Sequence, residues 1–248
     1  MGNGGSREVH HHHHTTTTVY EIPPETKKIL EEQTDKLEEY KQEAINLGDP
    51  TLYKKNSENL INTFVEKLPT LKLTDVINKK TGETHIGFIG QISSGKTSMI
   101  NALFGKQLPV ALGNCTTTCE VVHTQGLNVI WDVPGQNSDF EFYNPINLSF
   151  LKDLDKIAIL LDNDVSMITN ILRVVYKINS NIVIIRTKVD QHNIFNARTL
   201  EEEKLLDKKN VKDVLGIDID TFCVSSHNII ANKGDVFDWI VVKQQLGL

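Results

Sequence analysis

The 248 residues are enough for one α/β domain with a full core and some added helices. A net charge of −6 argues against bulk attraction to nucleic acid or to an anionic bilayer. The chain is 39% hydrophobic and 23% charged, with no apolar run of membrane-spanning length, which reads as a soluble globular protein.

Residues 1–20 are low in complexity: a Gly/Asn/Ser opening, five histidines from His10 to His14, then four threonines from Thr15 to Thr18. Such a segment cannot bury enough apolar surface to order itself. It reads either as an expression tag or as a natural homopolymer-rich leader. In the second case Met1-Gly2-x-x-x-Ser6 fits the N-myristoylation pattern, which would make the chain a lipoprotein with peripheral membrane contact. A single acyl chain binds only marginally, and Arg7 alone is a poor second anchor.

Pro23 and Pro24 open a helical segment that occupies 21–70. Ile29, Leu30, Leu37, Tyr40, Ala44 and Leu47 make its first apolar stripe, and Gly48-Asp49-Pro50 stops it. A second helix over Leu52–Leu68 turns Leu60, Ile61, Phe64, Val65 and Leu68 inward and ends at Pro69. The short turn predicts an antiparallel pair packed on the following domain, 71–248. Lys79-Lys80-Thr81-Gly82-Glu83 reads as a hairpin-like turn before the first core strand.

Short apolar runs then recur at Ile86–Ile89, Val121–His123, Asn128–Trp131, Ile157–Leu161, Ile182–Ile185 and Phe222–Val224. Helical patterns at Ser98–Phe104, Ser166–Ile178, Leu200–Val214 and Phe237–Leu246 separate most of them. Continuous Ile/Val runs are strands covered on both faces. Their alternation with helices predicts an α/β fold with a doubly wound, mostly parallel sheet. Ligands of such sheets lie at the carboxyl ends of the strands.

The motifs fall at those ends. Gly90, Gln91, Ile92, Ser93, Ser94, Gly95, Lys96, Thr97 and Ser98 fit G-x-x-x-x-G-K-[ST] between a strand and a helix. Glycine permits close backbone approach, and the loop N–H groups with the helix N-terminus attract phosphate. Lys96 supplies a point charge to the terminal phosphates, and the Thr97 hydroxyl is a candidate Mg²⁺ ligand. Asp132-Val133-Pro134-Gly135 ends the next long strand, about 35 residues on. Asp132 can hold Mg²⁺ through water, and the Gly135 N–H can reach a γ-phosphate. Between these lies Asn114-Cys115-Thr116-Thr117-Thr118-Cys119. One of Thr116, Thr117 and Thr118 is the expected switch ligand to the metal, with Thr117 carried forward and Thr116 beside the nucleotide; a threonine run is also plain strand propensity. Thr187-Lys188-Val189-Asp190 follows the run 182–186. A carboxylate at Asp190 can accept from both the ring N–H and the exocyclic amine of guanine, a donor pair adenine lacks. The Lys188 stem can lie along the purine. The cysteines Cys115, Cys119 and Cys223 form neither a disulfide framework nor a zinc spacing, which suits a reducing, cytoplasmic setting.

Taken in order, these landmarks resemble a P-loop GTPase G domain. The words Gly95-Lys96-Thr97-Ser98-Met99-Ile100-Asn101, Trp131-Asp132-Val133-Pro134-Gly135 and Arg186-Thr187-Lys188-Val189-Asp190 resemble, more narrowly, the immunity-related, interferon-inducible GTPases. The segment Lys96–Val110 is also similar to Era-like and dynamin-like GTPases. The resemblance implies GTP/GDP and Mg²⁺ as cofactors, GTP hydrolysis, self-association through the G domain, and action at intracellular membranes. It implies that backbone N–H groups at Ser225, Ser226 and His227 meet the guanine carbonyl, with His227 as a stacking group or a plain surface residue. Gln136 stands where Ras-like relatives orient the attacking water; its other reading is a turn residue facing solvent. Four departures stand out, one of them Gln136, which is not the usual residue of the immunity-related family at that position. Ser93 replaces a glycine in the phosphate loop. Thr187 replaces asparagine, which predicts weaker bonding between loops. The long C-terminal helical half of the family does not follow the last motif. A nucleotide-gated binding module with little turnover is the alternative. The Asp190 motif disfavours an ATPase or kinase.

Overall fold

The computed structural model describes residues 24–48, 50–91, 93–108, 120–133, 145–191 and 198–248. The leader with Gly2 and the residues Ile92, Cys115, Thr116, Thr117, Thr118, Cys119, Pro134, Gly135 and Gln136, with the roles expected of them, lie outside the described residues.

Two helices come first, α1 (Pro24–Leu47) and α2 (Pro50–Lys67), followed by a short 3-10 turn at Leu68–Thr70. Leu60, Ile61, Phe64 and Leu68 are buried, and Ile29, Tyr40 and Val65 pack against the same core. Leu47 is a correction: it is 66% exposed, because it ends α1 at the tip of the helical pair, beyond any neighbour. The Thr26 hydroxyl donates to Lys72 O and the Arg173 guanidinium to the Asn62 side chain, which fastens the pair to the domain that follows.

That domain is built on a six-stranded sheet of order β2-β3-β1-β4-β5-β6. The strands are β1 (Thr84–Gly90), β2 (Glu120–Gln125), β3 (Asn128–Asp132), β4 (Lys156–Leu161), β5 (Ile182–Arg186) and β6 (Thr221–Cys223). Every pairing is parallel except β2 with β3, an antiparallel hairpin closed through Gly126 at φ +61°. This is the mostly parallel α/β sheet the alternation predicts. Helices cover both faces: α3 (Lys96–Phe104), α4 (Pro145–Asp153), α5 (Thr169–Ile178), α6 (Leu200–Leu215), α7 (Ser226–Ile230) and α8 (Trp239–Leu246). One core joins α2, α4 and α5 to the sheet, and a second joins α3 and α8 to its other face.

Two helices escape the periodicity. Helix α7 has five residues, too few to show a repeat, and α4 has nine. The expected helix over Ser166–Ile178 is divided. The Asp164 carboxylate accepts from Ser166 N–H at 2.7 Å and starts a 3-10 turn at 165–168, and α5 begins only at Thr169. Residues 71–77 form no strand. They are held instead by α4, whose buried Asp153 carboxylate accepts from the N–H groups of Val76 and Ile77, the latter at 2.9 Å.

Between the neighbouring strands β3 and β1, Trp131 Nε1–H donates to His85 Nδ1 at 3.0 Å. That bond requires a lone pair on Nδ1, so Nε2 carries the proton and faces Glu83 at 3.2 Å. The neighbouring Asp155 accepts from His85 N–H and from Lys79 Nζ, each at 2.7 Å. Burial pulls the Asp155 carboxyl upward, but these donors win and hold it below its ordinary 3.8. A carboxyl depressed by folding stabilises above its unfolded value, and the gain is lost as pH falls below 3.8. Asp155→Asn is therefore expected to lower the thermal midpoint at pH 7. The gap to the unaltered protein should close in buffers progressively more acid than 3.8.

Candidate functional site

The site forms where β1, β3, β4, β5 and β6 end on one edge of the sheet. Strand β1 runs into Gly90, which has no room for a side chain. A Cβ there would stand 2.6 Å from Leu160 O and 2.6 Å from Ser94 Oγ. Ser94 is buried, and its N–H donates to Gln91 O at 3.1 Å, closing the loop on itself. Gly95, at φ +88°, is the residue before α3 and carries no side chain to cap it. The N–H groups of a helix's first turn have no intrahelical acceptor, so this end offers donors and a positive dipole to an anion. Ser93 takes φ +63°, a left-handed conformation that costs a non-glycine residue on the order of 1–2 kcal/mol. The departure from glycine is thus accommodated as backbone strain, with the side chain directed to an exposed position. Lys96 Nζ donates to Gly90 O and Gln91 O, both at 3.3 Å, folding its ammonium back over the loop.

Thr97 and Ser98 open α3 in half-buried positions. Asp132 ends β3, opposite Phe88 of β1, and is only 8% exposed. A carboxylate rarely enters such a place without chemistry or a partner to keep it. Thr97 and Asp132 thus stand at the ends of elements that flank the phosphate loop. Hard oxygen donors of this kind suit Mg²⁺.

The second loop follows β5. The Thr187 hydroxyl donates to Ser94 O of the phosphate loop at 2.7 Å, and its N–H donates to Leu161 O at 2.8 Å. In place of asparagine, the threonine side chain reaches across the adjacent strand end and bonds the phosphate loop directly. Lys188 adopts φ +57°, and its ammonium pairs with Asp162 at 2.8 Å. Asp190 is half-buried and accepts from the Ser225 hydroxyl at 2.6 Å. Ser225 in turn caps α7, accepting from Asn228 N–H at 3.1 Å. Ser226 is buried, and its hydroxyl lies 3.8 Å from Met99 Sδ on α3. His227 is exposed at the same corner.

The described site residues from the phosphate loop, Thr187–Asp190 and Ser225–His227 are therefore brought to one sheet edge. Two further residues belong there that the motifs do not announce. Asp162, at the end of β4, orients Lys188. Arg186, at the end of β5, forks onto Asp207 of α6 with both N···O distances 2.6 Å. The first had a signal, an acidic residue directly after a parallel strand. The second opens the word Arg186–Asp190, but its pairing had no signal, since the partner lies 21 positions away on a charged helix. Cys223 is buried beside this pair, and burial pushes its thiol up to about 12, which makes it inert.

A model described as the dynamin family matches residues 86–187, from β1 through the phosphate loop to the first residue after β5. GTPase Der of Amoebophilus asiaticus (strain 5a2) is 26% identical over 191 residues. Both sequence similarities are to GTPases with a phosphate loop. The Der alignment covers 70% of this chain and 42% of that protein, so the chain spans about two fifths of the curated relative. Among solved structures, a GTP-binding protein from the hyperthermophilic archaeon Sulfolobus solfataricus in complex with GDP is similar with a TM-score of 0.44 and 15% identity, over 90% of this chain and 65% of that one. An Aquifex aeolicus Era variant bound to GDP·AlF4− is similar with a TM-score of 0.45 and 16% identity, over 66% and 56% of the two chains.

The phosphate loop's tolerance is set by backbone, not by side-chain ends. Gly90→Ala drives a methyl into Leu160 O and is expected to cost about 1–3 kcal/mol in a urea titration. Thr187→Val removes one buried hydrogen bond and should cost about 1–2 kcal/mol by the same measurement.

Proposed function

We propose that the chain binds GTP and GDP and hydrolyses GTP with the help of Mg²⁺. The observation that carries this reading is the 2.7 Å bond from the Thr187 hydroxyl to Ser94 O, which joins a phosphate loop to a purine-reading loop. On this reading the phosphates occupy Gly90–Ser98, and Lys96 leaves its two loop carbonyls to meet the terminal phosphate. The base is held by Asp190, with the Lys188 stem along its face and the N–H groups at Ser225–His227 near its carbonyl. Thr97 and Asp132, joined by a switch threonine, Thr117 or a neighbour, would hold Mg²⁺, which when bound would supply positive charge beside the transferring phosphoryl group. Gly135 donates to the γ-phosphate and Gln136 orients the attacking water. Catalysis is then positioning and electrostatics, with little bond-making by the protein itself.

The finer reading is an immunity-related GTPase that self-assembles through its G domain at intracellular membranes, anchored through Gly2. It rests on the sequence words at Gly95–Asn101, Trp131–Gly135 and Arg186–Asp190. The Era-like and dynamin-like reading rests on Lys96–Val110 and is compatible with the Der and dynamin-family similarities. No helix among the described residues is long and apolar enough to cross a membrane. The left-handed Ser93 in the phosphate loop favours a second reading, a nucleotide-gated binder with little turnover. A single-turnover GTP assay at low and high protein concentration separates the two.

Lys96→Ala is expected to weaken GTP binding by about 10- to 100-fold and to abolish hydrolysis, the loss of one charge-assisted contact. Unchanged turnover in that variant would remove the assignment. Asp190→Asn should trade GTP for xanthosine triphosphate, since an amide can donate to the carbonyl that replaces the guanine amine. A competition titration with both nucleotides reads the exchange.

A further inference from the structure

Arg186 is the last residue of β5 and directly precedes Thr187. It is 6% exposed, and Asp207, its partner on α6, is 1% exposed. The guanidinium uses Nε and Nη2 on the two carboxylate oxygens, the planar fork geometry that arginine alone can make. Nη2 also donates to Asn163 O at 3.3 Å and lies 3.7 Å from Glu203 Oε2. Glu203 is shared with Arg198 at 3.4 Å, so two cations balance two carboxylates. Burial disfavours the Arg186 charge, yet the Asp207 fork holds its proton more firmly than usual. The Arg186 carbonyl accepts from Val224 N–H at 2.8 Å.

Arg186 therefore ties together four pieces of chain, and two of them lead to a base-site residue, the first through its guanidinium and the second through its backbone carbonyl. Asn163 follows Asp162, the carboxylate that holds Lys188 Nζ at 2.8 Å. Val224 precedes Ser225, whose hydroxyl donates to Asp190 at 2.6 Å. The loop thus supported includes Lys188 at φ +57°, a conformation that persists only where its surroundings over-determine it. A buried ion pair is a poor source of net stability, since apolar side chains of similar volume can replace it without loss. Geometry is what an apolar pair could not supply.

We propose that Arg186 and Asp207 are positioning residues for the purine-reading loop: the fork fixes where Lys188 and Asp190 point, and so tunes base affinity without touching the base. The inference rests on the reading of Thr187–Asp190 as a guanine site. The test uses the full chain with R186M/D207L combined, together with Asp207→Asn. The probes are GDP and inosine diphosphate, which lacks the exocyclic amine. The readouts are the two dissociation constants and the urea midpoint.

The expected result for the double variant is an unchanged midpoint, GDP binding weakened roughly tenfold, and a smaller preference for GDP over inosine diphosphate. A double variant with undiminished affinity and preference overturns the proposal. If the double variant does not fold, Asp207→Asn carries the test: reduced preference supports the proposal, and full preference overturns it. An unaltered protein that binds neither nucleotide overturns the guanine-site reading itself, which is a different result from a variant that binds like its parent.

Discussion

One hydroxyl proton does more to define this site than any other atom described. The Thr187 side chain donates it to the Ser94 carbonyl, across the end of β4. Without such a link, the phosphate loop and the purine-reading loop would be two separate turns on neighbouring strand ends. With it, their separation is set by one buried hydrogen bond, whose alternative is an unsatisfied carbonyl in a dry corner. The glycine at position 90 serves the same end, because the loop can lie this close to β4 only if no Cβ intervenes.

The loop after β5 is held by a chain of supports. Asn228 N–H meets the Ser225 hydroxyl, which meets Asp190. Asp162 holds Lys188, and Arg186 fastens the segment beyond Asp162 to α6. Each support comes from a different strand end, which is why a parallel sheet suits the task. Five carboxyl ends converge on one edge, and each can contribute one rigid side chain at little entropic cost.

Much of this was legible from residue types alone. A glycine-flanked Lys-Thr after an apolar run, an aspartate ending a strand and Thr187-Lys188-x-Asp190 are short fixed patterns of residue types, so they stand out in one dimension, and the fold brings the described ones to one sheet edge. The sheet was legible because buried parallel strands are nearly uninterrupted Ile and Val. What escaped was whatever depends on distance in space. Asp207 looks like any acidic residue on a charged helix, and only the fold reveals that it faces Arg186. Asp153 looks like the end of a short helix, yet it holds two N–H groups of a segment 76 and 77 positions away. Leu47 continued an apolar stripe by period, but the stripe cannot tell where the neighbouring surface stops.

The bond between Trp131 and His85 has an optical consequence. Trp131 is bonded by its indole N–H to His85, stacks edge-on against Phe150 with ring centroids 4.9 Å apart, and immediately precedes Asp132 in the chain. With Trp239 it is one of only two tryptophans. The molecule therefore carries its own fluorophore on the strand that ends in Asp132, with the ring clamped by neighbours that quench and shift emission according to their geometry. A Trp239→Phe background would leave that strand as the sole source of red-edge intensity, and the protein could be watched without a dye.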